Sequence, residues 1–185
     1  GGAIAASGAG DTVVFYFSGH GAQAPDLNGD EGGGMDEIFL PRDTRGWNGG
    51  MGAVENAILD DEFGTFTEQA AARGVQLVAI LDACHSGTGF RAGPDGDAAA
   101  RYITPAQLGL PDDQVSDAVG QGQAPAGDYV FLYAAQSDQR AFEYPVGDAR
   151  LWHGDFTRAL TSVMRPGCCG CRSTARPCAR GCWVA

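Results

Sequence analysis

Three apolar runs stand out against a glycine-rich, acidic background. Val75 to Leu81 and Thr12 to Phe17 are nearly uninterrupted series of aliphatic, aromatic and β-branched residues, and Tyr129 to Ala135 is a third. Runs of this length and type predict strands buried on both faces. Each stops abruptly: the first at Asp82-Ala83-Cys84-His85-Ser86-Gly87-Thr88, the second at Ser18-Gly19-His20-Gly21, the third at Gln136-Ser137-Asp138-Gln139. Met35 to Leu40 predicts a short strand that Pro41 ends. Asp60-Asp61-Glu62 opens a helix to Arg73, with acids in its first turn, a base in its last and Gly74 beyond. Apolar residues at helical spacing (Phe156, Leu160, Val163) predict a further helix over Asp155 to Val163.

The connections read differently. Residues 1–11 are rich in Gly and Ala and suit a loop or the remnant of a helix end. Ala22 to Gly34 and residues 43–53 read as glycine-rich loops, as does 88–128, where only Arg101 to Thr104 hints at extended backbone. Strand, loop, helix, strand over residues 54–81 predicts a βαβ crossover and so parallel strands. The fold class expected is α/β, a central and mostly parallel sheet flanked by helices, in one domain over residues 1–165.

In parallel α/β sheets, ligands and chemistry gather at the carboxyl ends of strands. Cys84 and His20 both fall just past such ends. A thiol becomes a strong nucleophile as thiolate, and a neighbouring imidazole can take its proton and later protonate a leaving amine. Backbone amides around Gly21 and Cys84 are candidate donors to an oxyanion. Taken singly, Cys84 also reads as an inert buried thiol and His20 as a turn histidine; the pairing of two glycine-punctuated strand ends favours catalysis. Asp82, two residues before Cys84, points to the nucleophile's side of the strand. A carboxylate there suits a basic substrate side chain, which Arg can meet with two donors; a turn or helix-cap role is the alternative.

Formal net charge is −11, from 23 acids and 12 bases, which disfavours nucleic acid and anionic membrane surfaces and favours basic partners. No run approaches the roughly 20 apolar residues of a membrane-spanning helix. Cys84 is the sole cysteine before Cys168, so a reducing, cytoplasmic setting is expected.

Phe17-Ser18-Gly19-His20-Gly21-Ala22-Gln23 and Leu81-Asp82-Ala83-Cys84-His85-Ser86-Gly87-Thr88 resemble the two active-site blocks of the caspase-like peptidases, in their metacaspase and orthocaspase branch. Animal caspases carry a different cysteine signature, with the histidine about 50 residues upstream. Asp36-Glu37-Ile38, Leu59-Asp60-Asp61 and Ala134-Ala135-Gln136-Ser137-Asp138-Gln139 extend the likeness to about residue 164. It implies a caspase-like fold whose first strand is missing here, and a Cys84–His20 dyad hydrolysing protein or peptide substrates through a thioester. It implies that Asp82, helped by Ser18, receives Arg or Lys before the cut bond, and gives His85 only a local role. It also matches Asp36, Asp60 and Asp61 to acids that bind calcium in some metacaspases. Three hard oxygen ligands suit Ca²⁺, yet Arg91 stands where a further acid is expected and Asp60 and Asp61 also read as helix-start charges; no cofactor is required. The competing functional class is a truncated, non-catalytic module that only binds proteins.

Residues 166–185 change character. Cys168, Cys169, Cys171, Cys178 and Cys182 crowd a segment without apolar period. Four of these sulfurs loosely match zinc spacing, but the composition reads better as a disordered or frame-shifted tail than as a folded site.

Overall fold

The computed structural model describes residues 2–29, 34–84, 98–115, 127–136 and 139–164. In chain order these form α1 (Gly2–Ala6), β1 (Thr12–Ser18), β2 (His20–Pro25), β3 (Met35–Leu40), β4 (Trp47–Asn48), β5 (Ala53–Val54) and β6 (Ile58–Leu59). There follow α2 (Asp61–Ala72), β7 (Gln76–Asp82), β8 (Ala99–Ala100), β9 (Tyr129–Tyr133), β10 (Phe142–Val146), β11 (Leu151–Gly154) and α3 (Asp155–Met164).

The three long apolar runs make one parallel sheet in the order β1-β7-β9. Around it lie antiparallel sheets β2-β3-β6 and β11-β10-β8 and the small β4-β5 pair. One face of the parallel sheet is covered by α1 and α2. Phe63 sits there edge-to-face against Phe15, Phe39, Phe66 and Phe131, at centroid separations of 5.1 to 6.0 Å. On the opposite face Val14, Tyr16, Val130 and Leu132 are exposed among the described residues, and α3 begins over it, Tyr16 Oη lying 2.7 Å from Thr157 Oγ1.

Gly74 ends α2 as its position predicted. Its φ of 66° is a left-handed conformation that costs glycine little. The Gly74 amide donates to Ala71 O and the Val75 amide to Ala70 O, the paired bonds of a Schellman ending. Arg73 caps a neighbour rather than its own helix, donating to the carbonyls of Ala5 and Ser7 at the end of α1.

Three expectations fail. Of the three apolar runs only β7 is largely buried; among the described residues β1 and β9 are half-buried or exposed along their whole length, because α1 and α2 cover one face of the sheet only. The strand before α2 is β6, which pairs antiparallel with β3 in a separate sheet, so residues 54–81 are no simple βαβ unit; the parallel partner of β7 is β1. Ala22 to Pro25 is not loop but the body of β2, paired with β3. Its alternation is carried by alanine: Ala22 and Ala24 are buried, but alanine contributes too little hydrophobic contrast to register as a strand.

Truncating Phe63 to Ala removes the ring at the centre of this aromatic cluster. The expected loss is about 3–5 kcal/mol of unfolding free energy, against less than about 1 kcal/mol for Val14→Ala on the exposed face, both measured by urea denaturation.

Candidate active site

Parallel pairing of β1 with β7 sets Ser18 opposite Asp82, so both strands release their next residues at one sheet edge. The Gly19 amide donates to Asp82 O at 3.1 Å and closes that rim. The chain then turns into β2 and carries His20 and Gly21 past the end of β7. The Gly21 and Cys84 amides, far apart in sequence, donate to the same acceptor, the carbonyl oxygen of Arg101, at 3.0 and 3.2 Å.

Beside this pair lies a buried charge cluster. Asp82 is fully buried and Arg101 nearly so. Thr157, in the first turn of α3, donates to Asp82 Oδ2 from its amide at 2.9 Å and from its hydroxyl at 2.5 Å. A helix amino terminus favours a carboxylate in this position. Asp82 Oδ1 accepts no hydrogen bond among the described residues and lies 3.6 Å from Arg101 Nε. The rest of the guanidinium is held closely: Nε donates to the carbonyls of Gly19 and Asp82, Nη2 to Ser18 Oγ and Nη1 to Glu143 Oε2, at 2.9 to 3.0 Å. Gly154 closes the pocket floor. A Cβ there would overlap the Asp82 carboxylate and stand 2.8 Å from Arg101 Nη1.

Cys84 is buried, its Sγ 3.5 Å from Gln139 O. It lines an open cavity of about 540 Å³ together with Glu37, Tyr133, Ala134, Ala135 and Gln136. Burial first, then the charges of Glu37, Asp60 and Tyr129, push the Tyr133 phenol up to about 12. Burial and then Cys84 also raise Tyr102, while Arg140 lowers it, so the Tyr102 hydroxyl shares the electrostatic environment of the thiol. His20 is half-exposed; its Nε2 lies 3.7 Å from Glu143 Oε1, and its Nδ1 is buried with no hydrogen-bond partner among the described residues.

Comparison with known proteins bears on this rim. Residues 3–92, which carry His20, Gly21, Asp82 and Cys84, match the family described as "Metacaspase, peptidase C14 domain". The chain belongs to the metacaspase family. It is 37% identical over 112 residues to "Metacaspase-1" of Emericella nidulans, covering 60% of this chain and 24% of that protein. It is 32% identical over 158 residues to "Metacaspase-2" of Arabidopsis thaliana, covering 85% of this chain and 35% of that protein. The chain therefore spans about a quarter of the first of these relatives and about a third of the second. A crystal structure of a protein from Geobacter sulfurreducens shares the fold, with a TM-score of 0.54 and 23% identity over 89% of this chain and 58% of that one.

In this metacaspase chain the residues singled out from sequence fall into two groups. Ser18, Gly21, Asp82 and Cys84 converge on the rim, with His20 joined to it through Glu143. Asp82 Oδ2 accepts from the Thr157 amide and hydroxyl at the start of α3, the contact of a helix cap. Of Asp36, Asp60 and Asp61, Asp36 is buried on β3, Asp60 lies near the Cys84 cavity with its amide donating to Glu37 O, and Asp61 accepts from Asn28 Nδ2. Among the described residues no three His, Cys, Asp or Glu side chains form a cluster able to hold a metal ion. His85, Arg91 and the cysteine-rich tail lie outside the described residues. Among those described, no helix is long and apolar enough to cross a membrane.

Three site residues escaped sequence reasoning: Arg101, Glu143 and Thr157. Only Arg101 left a trace, as the first residue of a weakly extended stretch.

Two outcomes follow from this geometry. Gly154→Ala forces the added methyl into the Asp82–Arg101 contact, so a drop in thermal midpoint of several degrees is expected, where an exposed helical substitution such as Ser162→Ala shifts it by little. Tyr133 binds its proton more tightly in the folded chain than in the unfolded one, where its pKa is near 10. Stability must then fall as pH rises from about 10 to about 12. Tyr133→Phe should flatten that part of the stability–pH curve and leave it unchanged below pH 9.

Proposed function

We propose that this metacaspase chain carries a cysteine endopeptidase that cuts peptide bonds after Arg or Lys, with Cys84 as nucleophile and His20 as general acid and base. The observation that carries the reading is the convergence of the Gly21 and Cys84 amides on one carbonyl oxygen beside a buried acidic pocket. Two backbone donors aimed at one point are what a developing oxyanion requires.

In this mechanism the Cys84 thiolate, its proton passed to His20, attacks the carbonyl carbon of the bond to be cut. The oxygen takes the negative charge and is stabilised by the Gly21 and Cys84 amides. As the carbon–nitrogen bond breaks, the imidazolium returns the proton to the leaving amine, and a thioester remains on Cys84. Water then attacks the thioester while His20 accepts its proton. The acyl–sulfur bond breaks, the carboxylate product leaves, and the thiol is restored. Glu143 places a carboxylate 3.7 Å from His20 Nε2, beside the ring that carries the proton in both half-reactions.

Specificity follows from charge. Asp82 and Glu143 present carboxylates and Ser18 a hydroxyl to whatever side chain enters the pocket. An Arg guanidinium answers them with a planar fork of donors, a Lys ammonium with a single compact charge. An Asp side chain would add a third carboxylate to a buried acidic site.

Peptide reporters ending in Arg, Lys and Asp test this. Turnover is expected in the order Arg, then Lys, with none for Asp. Cys84→Ala should abolish it, and His20→Ala should lower it by about 10²–10⁴-fold. Glu143→Gln should lower Arg turnover more than it lowers labelling of Cys84 by iodoacetamide. Efficient cleavage after Asp with none after Arg would overturn the specificity. Turnover that survives in Cys84→Ala would overturn the nucleophile.

A further inference from the structure

The basic side chain in the acidic pocket belongs to the protein itself. Three features of Arg101 reproduce what a peptide substrate must do. Its carbonyl oxygen accepts from the Gly21 and Cys84 amides. Its guanidinium fills the pocket formed by Ser18, Asp82 and Glu143. The two residues before it, Ala99 and Ala100, form β8 and pair antiparallel with Glu143 and Phe142 of β10, while its own amide donates to Ala141 O at 2.9 Å. An arginine kept only to neutralise buried acids would need the second feature alone. The carbonyl placement and the strand pairing serve no ion pair; they are the backbone contacts of an extended peptide added to a sheet edge. Beyond Arg101, Ile103 donates to Gly21 O at 2.9 Å, and Tyr102 forms a parallel bridge to Gly21. The chain thus runs across the rim on both sides of the carbonyl.

We infer that residues 99–102 are an internal substrate mimic: Arg101 occupies the subsite for the residue before the cut bond, and the protein stays latent toward external substrates until this segment is displaced. The inference rests on the peptidase reading for its consequence and on the geometry alone for its occupancy. It further assigns the edge of β10 as the strand along which an external substrate binds, with Glu143 as the second acid of the specificity pocket. The segment and an external arginine compete for one site, so occupancy by one excludes the other.

The test compares the full chain with Arg101→Ala and Arg101→Lys. Two readouts are taken: thermal midpoint with and without N-acetyl-arginine amide, and the rate at which an Arg-bearing peptide electrophile labels Cys84. In Arg101→Ala the vacated pocket should bind the arginine amide and raise Tm by several degrees, with little shift in wild type. The electrophile should label Arg101→Ala at least about tenfold faster than wild type. Arg101→Lys retains the charge but loses the guanidinium fork, so it should label at an intermediate rate; it carries the test if Arg101→Ala does not fold. Labelling of wild type as fast as of both variants would overturn the mimic while leaving the peptidase reading intact. So would an equal response of all three proteins to the amide. Binding of the amide to Arg101→Ala with no acylation of Cys84 in any variant would do the reverse, sinking the peptidase and keeping the occupied pocket.

Discussion

Asp82 is the point at which separate parts of this chain are tied together. Its backbone ends β7 and takes the Gly19 amide, so the turn after β1 is fixed to the neighbouring strand. One carboxylate oxygen holds the start of α3 through Thr157, and the other faces Arg101. A fully buried carboxylate is costly unless its charge is answered. Here the answer comes from a guanidinium 19 residues and a helix amino terminus 75 residues further along the chain. The positions of Ser18, Gly21 and Cys84 all follow from that one residue being satisfied.

The parallel sheet makes the arrangement economical in sequence. Two parallel strands in register deliver two turns to one edge without long-range design of either turn. Glycine then lets the backbone approach where side chains would obstruct it. At Gly154 this is plain, since any Cβ would intrude on Asp82 and Arg101. Small residues at the rim and bulky aromatics below it divide the labour: the Phe63 cluster fixes the sheet, and the sheet fixes the chemistry.

What was legible in sequence tracks which interactions are local. The three core strands announced themselves by their unbroken apolar runs, although among the described residues only β7 has the burial those runs predicted, and α2 because its acids and Gly74 mark its ends. Cys84 and His20 stood out because strand ends with glycine are few. β2 was hidden because its inward residues are alanines. The partner of β6 was hidden because a two-residue strand carries no period. Glu143 and Thr157 were invisible, and Arg101 left only a trace of extended backbone, for a deeper reason: each is ordinary in its own neighbourhood and acquires a role only when β7, β10 and α3 meet.

On the proposed reading, a pocket that selects a cation has a problem when empty. Asp82 and Glu143 are drawn together in a site shielded from water, and without a positive partner their repulsion and desolvation would weigh against the fold. Removing one member of a buried ion pair commonly costs about 3–5 kcal/mol, a large share of a typical domain's 5–15 kcal/mol. A solvated pocket would avoid the cost but would also weaken discrimination, since water screens the field that separates Arg from Asp. Arg101 resolves the conflict, satisfying the acids in the resting protein with the same chemistry that a substrate would bring. On the proposed reading, the strength of the internal contact would limit how readily an external arginine is admitted, so selectivity and latency would be set by the same two carboxylates and could not be tuned independently.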